Sequence, residues 1–207
     1  MIGLSDILVF TAALAAVYLL PGVDMALVIS TSAFSGPKNG LMAALGLGVS
    51  RTAHVTLSAF GLAALIHAHP VLFDYVRWLG ASYLLFLSWK LLRAGDCKRS
   101  EAANDTSQGW AAFRSGVMTN VLNPKALMFC AFFLPQFIST QYGLAAQYLT
   151  LGVILVGLGF AFDVVYALAA SRLAKRFPGS RPLQTVSKYL FSSVFGLAAI
   201  HLAIGGH

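Results

Sequence analysis

Two residues of opposite charge stand beside prolines in apolar segments, and together they have the chemistry to hold a zwitterion. Asp24 lies three positions after Pro21, and Lys125 directly follows Pro124. The two prolines are 103 positions apart, which is half of a chain of 207 residues. A carboxylate accepts hydrogen bonds from an ammonium group, and a lysine ammonium donates to a carboxylate.

The prolines predict interrupted helices with exposed backbone donors. Proline lacks an N–H and clashes with the preceding turn, so it frees polar backbone groups. In lipid, such groups are tolerated where protein or a water-filled cavity covers them. The N-terminus of each resumed helix would then suit a carboxylate. Asn123 is a favoured N-cap before a proline in the first turn, which makes the second break the stronger candidate of the two.

We therefore predict a substrate-binding site for a zwitterionic amino acid at the two breaks. In the first break, Gly22 lets the chain bend and Asp24 falls in the first turn of the resumed helix. The residues taken from the breaks are Pro21, Gly22, Asp24, Asn123, Pro124 and Lys125. The alternative is that the prolines only kink packed helices, while Asp24 and Lys125 pair with each other or reach an interface.

Three further ionisable residues lie deep in apolar surroundings, where facing lipid would be costly. They are Arg51, His54 and Asp163. Arg51 and Asp163 are expected either to form a fixed structural pair or to act as a proton-coupled switch. His54 has the chemistry to carry a proton near neutral pH, or is simply packed.

The composition predicts that lipid is the solvent of these residues. Hydrophobic residues make up 58% of the chain and charged residues 10%, far from a soluble domain. The net charge of +7 is the difference between 14 Lys and Arg and 7 Asp and Glu residues. Most of the basic residues lie in a few loops and form no basic face, which argues against nucleic acid as a partner. Two cysteines, Cys97 and Cys130, offer neither a disulfide framework nor a metal or redox pair.

The apolar segments predict an all-α integral membrane protein with six transmembrane helices, the first and fourth broken by proline. The expected spans lie near residues 4–33, 40–66, 71–92, 111–135, 146–171 and 186–204. The long apolar run from Ala126 to Phe162 must turn between Pro135 and Gly143.

Basic residues are concentrated in alternate connections between the spans, and this distribution predicts the orientation of the protein in the membrane. One set of connections holds Lys38, then Lys90, Arg93, Lys98, Arg99 and Arg114, then Arg172, Lys175, Arg176, Arg181 and Lys188. These connections are predicted to be cytoplasmic, so both termini are predicted to be periplasmic. An odd number of spans in each half then gives two inverted three-helix repeats, at 1–95 and 110–207, joined by a polar cytoplasmic linker at 96–109.

Several motifs together resemble a known family. They are Leu20-Pro21-Gly22-Val23-Asp24-Met25, the glycine-rich run from Gly40 to Gly46 that leads to His54, Phe113-Arg114-Ser115-Gly116, and Asn120-Val121-Leu122-Asn123-Pro124-Lys125-Ala126 followed by Phe133-Leu134-Pro135-Gln136-Phe137. Nearly the whole chain is similar to the lysine exporter and RhtB-type (LysE) family of bacterial amino-acid efflux proteins. The motif around the second break, from Asn120 to Ala126, adds Asn120 to the candidate substrate-binding residues.

The resemblance implies export of amino acids or close derivatives across the bacterial inner membrane, driven by the proton gradient, without an organic cofactor or a metal. Partners would be the lipid bilayer and a small-molecule substrate, with homo-oligomerisation left open. The chain departs from the family at two positions. Val23 stands where the family usually has a second proline, and Arg51 stands where many members have an acid, so substrate preference or coupling is expected to differ.

Two other classes of function compete with this interpretation. An enzyme would need a Ser-His-Asp arrangement or an H-E-x-x-H motif, and neither is present, so we expect no enzyme. A membrane thiol or electron relay would need a cysteine beside each break. Cys130 is six positions after Pro124, but Leu27 occupies the equivalent position in the first half. Export of another small solute or cation remains an alternative.

Overall fold

The computed structural model of the chain describes residues 3–61, 64–65, 68–93, 105–139, 142–176 and 181–204. Its main helices are α1 (Leu4–Leu19), α2 (Val23–Ser35), α3 (Pro37–Ala59), α4 (Pro70–Arg93), α5 (Asp105–Val121), α6 (Pro124–Met128), α7 (Leu144–Arg176) and α8 (Arg181–Ile204). No strand occurs within the described ranges. The prediction of an all-α protein is therefore confirmed for this part of the chain.

The first predicted span is broken at Pro21, and α1 and α2 meet there at an angle of 55°. Leu20, which precedes the proline, is extended, as the ring of a following proline requires. Gly22 is also extended and forms the N-cap of α2. The helix resumes at Val23, so Asp24 lies in its first turn.

The fourth predicted span is broken at Pro124, again with a bend of 55°. Asn123 is extended and caps α6, which starts at the proline. The helical path then widens to a π-helix at Phe129–Phe133 and tightens to a 3₁₀-helix at Leu134–Phe137. π-Helical turns often occur at functional sites. The chain turns before Leu144, inside the predicted segment between Pro135 and Gly143.

Three units of the described chain are long and apolar enough to cross a bilayer. One is α7, with 33 residues, and the other two are the broken pairs when each pair is taken as one span. The helices α3, α4 and α8 have 23, 24 and 24 residues and occupy the positions of the second, third and sixth expected spans. The count of six spans stays a prediction.

Two boundaries differ from the expected ones. The second span was expected to reach residue 66, but α3 ends at Ala59 and the chain turns through Gly61, whose φ of +88° suits a residue without a side chain. The helix α5 begins at Asp105, inside the segment 96–109 assigned to the linker. Residues 94–104, with Cys97, Lys98 and Arg99, lie outside the described residues.

Close helix contacts hold the site in place. A Cβ built on Gly46 in α3 would collide with the carbonyl of Phe113 in α5, and one built on Gly116 would collide with the carbonyl of Ala43. The absence of a side chain at both glycines therefore allows the two helix backbones to touch. Elsewhere, α3 contacts α7 and α4 contacts α8.

Candidate functional site

A cavity of about 310 Å³ lies between the two proline breaks. Both breaks contribute to its wall, together with residues of α3, α4, α5, α7 and α8. Every candidate chosen from the sequence lines this cavity, namely Pro21, Gly22, Asp24, Arg51, His54, Asn120, Asn123, Pro124, Lys125 and Asp163. The structure thus brings residues from both halves of the chain to one place.

The carboxylate of Asp24 is held by two amides from the other half of the chain. Nδ2 of Asn120 donates to its Oδ2 at 2.6 Å, and Nδ2 of Asn123 donates to its Oδ1 at 3.2 Å. Nη2 of Arg51 lies 3.5 Å from the same Oδ2. Donors on both oxygens fix the orientation of the carboxylate.

Arg51 pairs more closely with Asp163. Its Nη1 lies 2.5 Å from Oδ2 and its Nη2 3.4 Å from Oδ1, so the guanidinium faces the carboxylate with both nitrogens. Each side chain has a relative exposure of 4%. Because buried charges are tolerated when they are paired and hydrogen-bonded, this contact accounts for both residues in an apolar setting. Arg51 therefore connects the acid of α2 to the acid of α7.

Tyr18, which the sequence analysis missed, positions this guanidinium. The Arg51 guanidinium lies 5.1 Å from the centre of the Tyr18 ring, within the range of a cation–π contact. The Tyr18 hydroxyl donates to the carbonyl of Leu155 at 3.0 Å, and the hydroxyl of Tyr166 donates to the carbonyl of Tyr18 at 2.9 Å. Its signal in the sequence was a polar group three positions before Pro21, in an apolar helix.

The two resumed helices begin differently. At the second break, Oδ1 of Asn123 accepts from the backbone N–H of Lys125 at 3.0 Å, so α6 is already capped. At the first break, Gly22 has no side chain, and α2 has no side-chain cap. The sequence favoured the second break as the end that receives a ligand. In the structure, the uncapped helix start is at the first break.

Lys125 and Asp24 line the same cavity without pairing. The Lys125 side chain is exposed, whereas Asp24 is partly buried and its ion pair within the described chain is with Arg51. The alternative interpretation, in which Asp24 and Lys125 neutralise each other, does not describe this structure.

Three buried polar atoms of the cavity wall have no hydrogen-bond partner among the residues that the structure describes. They are Oδ1 of Asn120, a residue 1% exposed, Oγ1 of Thr119, 2% exposed, and Nδ1 of His54, 3% exposed. Buried polar atoms normally have a partner, so these three atoms are candidates for contact with a ligand. The Asn120 atom is the most informative, since Nδ2 of the same amide holds Asp24.

Comparison with known proteins gives the family. The model of the LysE type translocator family matches residues 15–206. The chain belongs to the LysE family. Two relatives named homoserine/homoserine lactone efflux protein, from Salmonella typhimurium (strain LT2) and Salmonella typhi, are each 30% identical to this chain over 189 residues, which is 91% of both chains compared. No solved structure matches the chain.

Membership of the LysE family makes the chain a membrane transporter of the efflux type, with a small-molecule substrate. The apolar helices agree with a membrane environment. Beside its charged and polar residues, the cavity wall has an apolar part, formed by residues such as Leu14, Val17, Leu84, Leu122, Phe129 and Leu155. Within the described ranges, no group of three His, Cys, Asp or Glu residues is placed to hold a metal ion.

Proposed function

We propose that this LysE-family transporter exports amino acids or close derivatives across the bacterial inner membrane, and that the substrate binds between the two proline breaks. The observation that carries the proposal is the acceptor pair formed by Asp24 and Asn120. Asp24 and Asn120 line one cavity and are hydrogen-bonded to each other, and Oδ1 of Asn120 has no partner among the described residues.

This acceptor pair fits the α-ammonium group of an amino acid. An ammonium group has three N–H donors and no acceptor. Asp24 supplies charge and Asn120 supplies an amide oxygen, so two donors are satisfied by groups that already lie together. A charge-assisted hydrogen bond is about twice as strong as a neutral one, which makes Asp24 the main anchor.

The α-carboxylate of the substrate is assigned to the start of α2, with Lys125 as a second contact. The N–H groups of the first turn of α2 lack a side-chain cap, and Gly22, Val23 and Met25 all line the cavity. Uncapped N–H groups and the helix dipole both favour an anion at this end. Lys125 lines the same cavity from the second break and supplies the matching positive charge.

The names of the relatives suggest the first substrates to test. Both relatives are named for efflux of homoserine and homoserine lactone. Homoserine is a zwitterion with an uncharged side chain, and the apolar part of the cavity wall leaves room for such a side chain without a further charged contact. We therefore place small amino acids with uncharged side chains first.

We assign coupling to the proton gradient to the three buried ionisable residues of the cavity wall. Asp163, Arg51 and His54 are all buried, and all line the cavity. Within the described ranges, the cation paired with the Asp163 carboxylate is the Arg51 guanidinium, which Asp24 shares, so Asp163 is a candidate for reversible protonation when the substrate enters or leaves. His54 adds an imidazole nitrogen without a partner in the described part of the chain.

The proposed topology has six spans in two inverted repeats, with both termini in the periplasm. Two features support the repeat: both broken spans bend by 55°, and helices of the same order in each half contact one another, α3 with α7 and α4 with α8. Reporter fusions at both termini and in the 96–109 segment test the orientation. A cytoplasmic signal from either terminus would contradict it.

The test of function is an efflux assay. Cells that overproduce the chain are loaded with labelled homoserine, homoserine lactone and a panel of other amino acids, and intracellular pools are followed over time. We expect faster loss of at least one amino acid, slowed by a protonophore. Equal retention of every compound by cells with and without the protein would exclude amino-acid export, and export unaffected by the protonophore would exclude proton coupling.

A further inference from the structure

We propose that Arg51 sets the substrate specificity of the cavity by occupying a second carboxylate subsite, at Asp163, with its own guanidinium. The wild-type site then accepts one ammonium group, at Asp24, and excludes amino acids that carry a second cationic group on the side chain. This inference rests on the proposed function, because it assigns the selectivity of the same site.

The geometry places the two carboxylates on either side of one guanidinium nitrogen. Nη2 of Arg51 lies 3.5 Å from Oδ2 of Asp24 and 3.4 Å from Oδ1 of Asp163. Both acids and the arginine line the cavity. Asp24 also receives two amide N–H groups, whereas Asp163 is paired bidentately with Arg51. The orientation of Asp24 is therefore held without the arginine, while that of Asp163 depends on it.

The charges of the buried groups lead to the same conclusion. Two carboxylates surround one guanidinium, which leaves one negative charge uncompensated among these three side chains. One substrate ammonium balances it. A second cationic group would leave an excess positive charge in a buried site, which is costly. Without Arg51 the same two carboxylates would balance two ammonium groups.

The position of Arg51 is fixed by its neighbours, so it does not simply move aside. The ring of Tyr18 lies over the guanidinium at 5.1 Å, and a Cβ at position 159 would come within 2.8 Å of Nη1. Gly159 thus makes space for the arginine where it stands. An arginine packed in this way acts as a permanent part of the cavity wall and excludes a second cation.

The experiment compares two amino acids of nearly equal shape. Homoserine and 2,4-diaminobutyrate differ in whether the side chain ends in a hydroxyl or an ammonium group. Uptake of each by proteoliposomes containing the purified full chain is measured for wild type, R51Q, R51K and the double variant R51Q/D163N. We expect wild type to prefer homoserine, and R51Q to shift the ratio of the two rates toward 2,4-diaminobutyrate by at least about tenfold.

The other two variants separate specificity from folding. R51K keeps a cation beside Asp163 and should keep the wild-type preference. R51Q/D163N removes both charges and should not accept 2,4-diaminobutyrate, because the second subsite has lost its carboxylate. Because Arg51 and Asp163 are also assigned to proton coupling, binding of the two amino acids to the purified variants is measured beside uptake. Binding of homoserine by the double variant with continued exclusion of 2,4-diaminobutyrate supports the proposal. Equal binding of both amino acids by the double variant overturns it.

The outcomes also distinguish this inference from the proposed function. Wild-type vesicles that transport neither these two amino acids nor any other overturn the proposed function, and this inference with it. Wild-type vesicles that transport both probes equally overturn the inference alone. An R51Q variant that transports homoserine with the wild-type ratio of rates also overturns the inference and leaves amino-acid export in place.

Discussion

Nδ2 of Asn120 lies 2.6 Å from Oδ2 of Asp24, and this bond joins two residues 96 positions apart. Asp24 lies just after the first proline break, and Asn120 lies just before the second. Nδ2 of Asn123, at the second break itself, donates to the other oxygen of the same carboxylate. Two hydrogen bonds therefore link the two breaks and orient the main charge of the cavity.

The first prediction concerns the charge of Asp24. Replacing it with asparagine, Asp24→Asn, keeps the shape of the side chain but removes its charge. We expect a loss of about 2 kcal/mol of substrate binding, roughly a thirtyfold lower rate at limiting substrate, because a hydrogen bond to a charged group is lost. The measurement is the initial rate of uptake by proteoliposomes at low substrate concentration.

Asp6→Asn provides the matched control for this variant. Asp6 is an exposed acid in the first turn of α1, and it does not line the cavity. The same chemical change there should leave transport at the wild-type rate. Equal rates for wild type, Asp24→Asn and Asp6→Asn would remove Asp24 from the substrate site.

A second prediction separates the two roles of Asn123. Its Oδ1 caps α6 by accepting from Lys125, and its Nδ2 donates to Asp24. Asn123→Ala removes both interactions, so it should lower stability by about 1 kcal/mol and also reduce transport. Asn123→Ser keeps a capping oxygen and removes the donation to Asp24. It should reduce transport while the protein melts at the wild-type temperature.

Thermal melting in detergent and proteoliposome uptake together check this pair of variants. Transport at the wild-type rate by Asn123→Ser would show that donation to Asp24 has no functional role. Wild-type melting of Asn123→Ala would show that the cap contributes little to the stability of α6.

Much of the fold could be predicted because lipid imposes simple requirements. A segment of this composition in lipid is helical, and a proline inside a helix interrupts the backbone hydrogen bonds. The breaks at Pro21 and Pro124 were therefore predictable from single residues. The end of α3 at Ala59 was not, because the apolar run continues beyond it and the turn depends on Gly61. Apolarity sets the approximate length of a span and leaves its ends open.

The candidate site was predictable as a set of residues, and its internal pairing was not. Buried charges such as Arg51 and Asp163 are conspicuous in an apolar chain, and all of the candidates line one cavity. Which charges meet depends on helix packing, so the sequence left open whether Asp24 pairs with Lys125. Tyr18 was missed because a tyrosine in an apolar helix is common and its role depends on contacts with other helices.

The third prediction concerns two glycines of α7 that differ in their surroundings. A Cβ at Gly159 would lie 2.8 Å from Nη1 of Arg51 and 2.7 Å from the hydroxyl oxygen of Tyr18, whereas one at Gly157 would meet nothing within 4 Å. Gly159→Ala should displace both side chains and lower the transport rate about tenfold, because small displacements at a binding site are costly. Gly157→Ala should transport normally.

Uptake by proteoliposomes, normalised to the amount of folded protein, tests this pair. Because the atoms next to Gly159 are the ends of flexible side chains, we expect Gly159→Ala to fold and to lose activity specifically. Equal transport by both alanine variants would mean that the position of Arg51 is unimportant for the site.

The last prediction concerns the contact between α3 and α5, which holds Arg51 opposite Asn120. A Cβ at Gly46 would collide with the carbonyl of Phe113, and the neighbouring atoms are also backbone. A helix backbone cannot yield as a side chain does, so Gly46→Ala should force the helices apart and reduce the yield of folded protein several-fold. Gly48 lies on the same helix with nothing within 4 Å of a Cβ, so Gly48→Ala should fold normally. Fluorescence-detected gel filtration of tagged variants measures the difference, and a wild-type yield of Gly46→Ala would show that α3 and α5 are free to separate without loss of the fold.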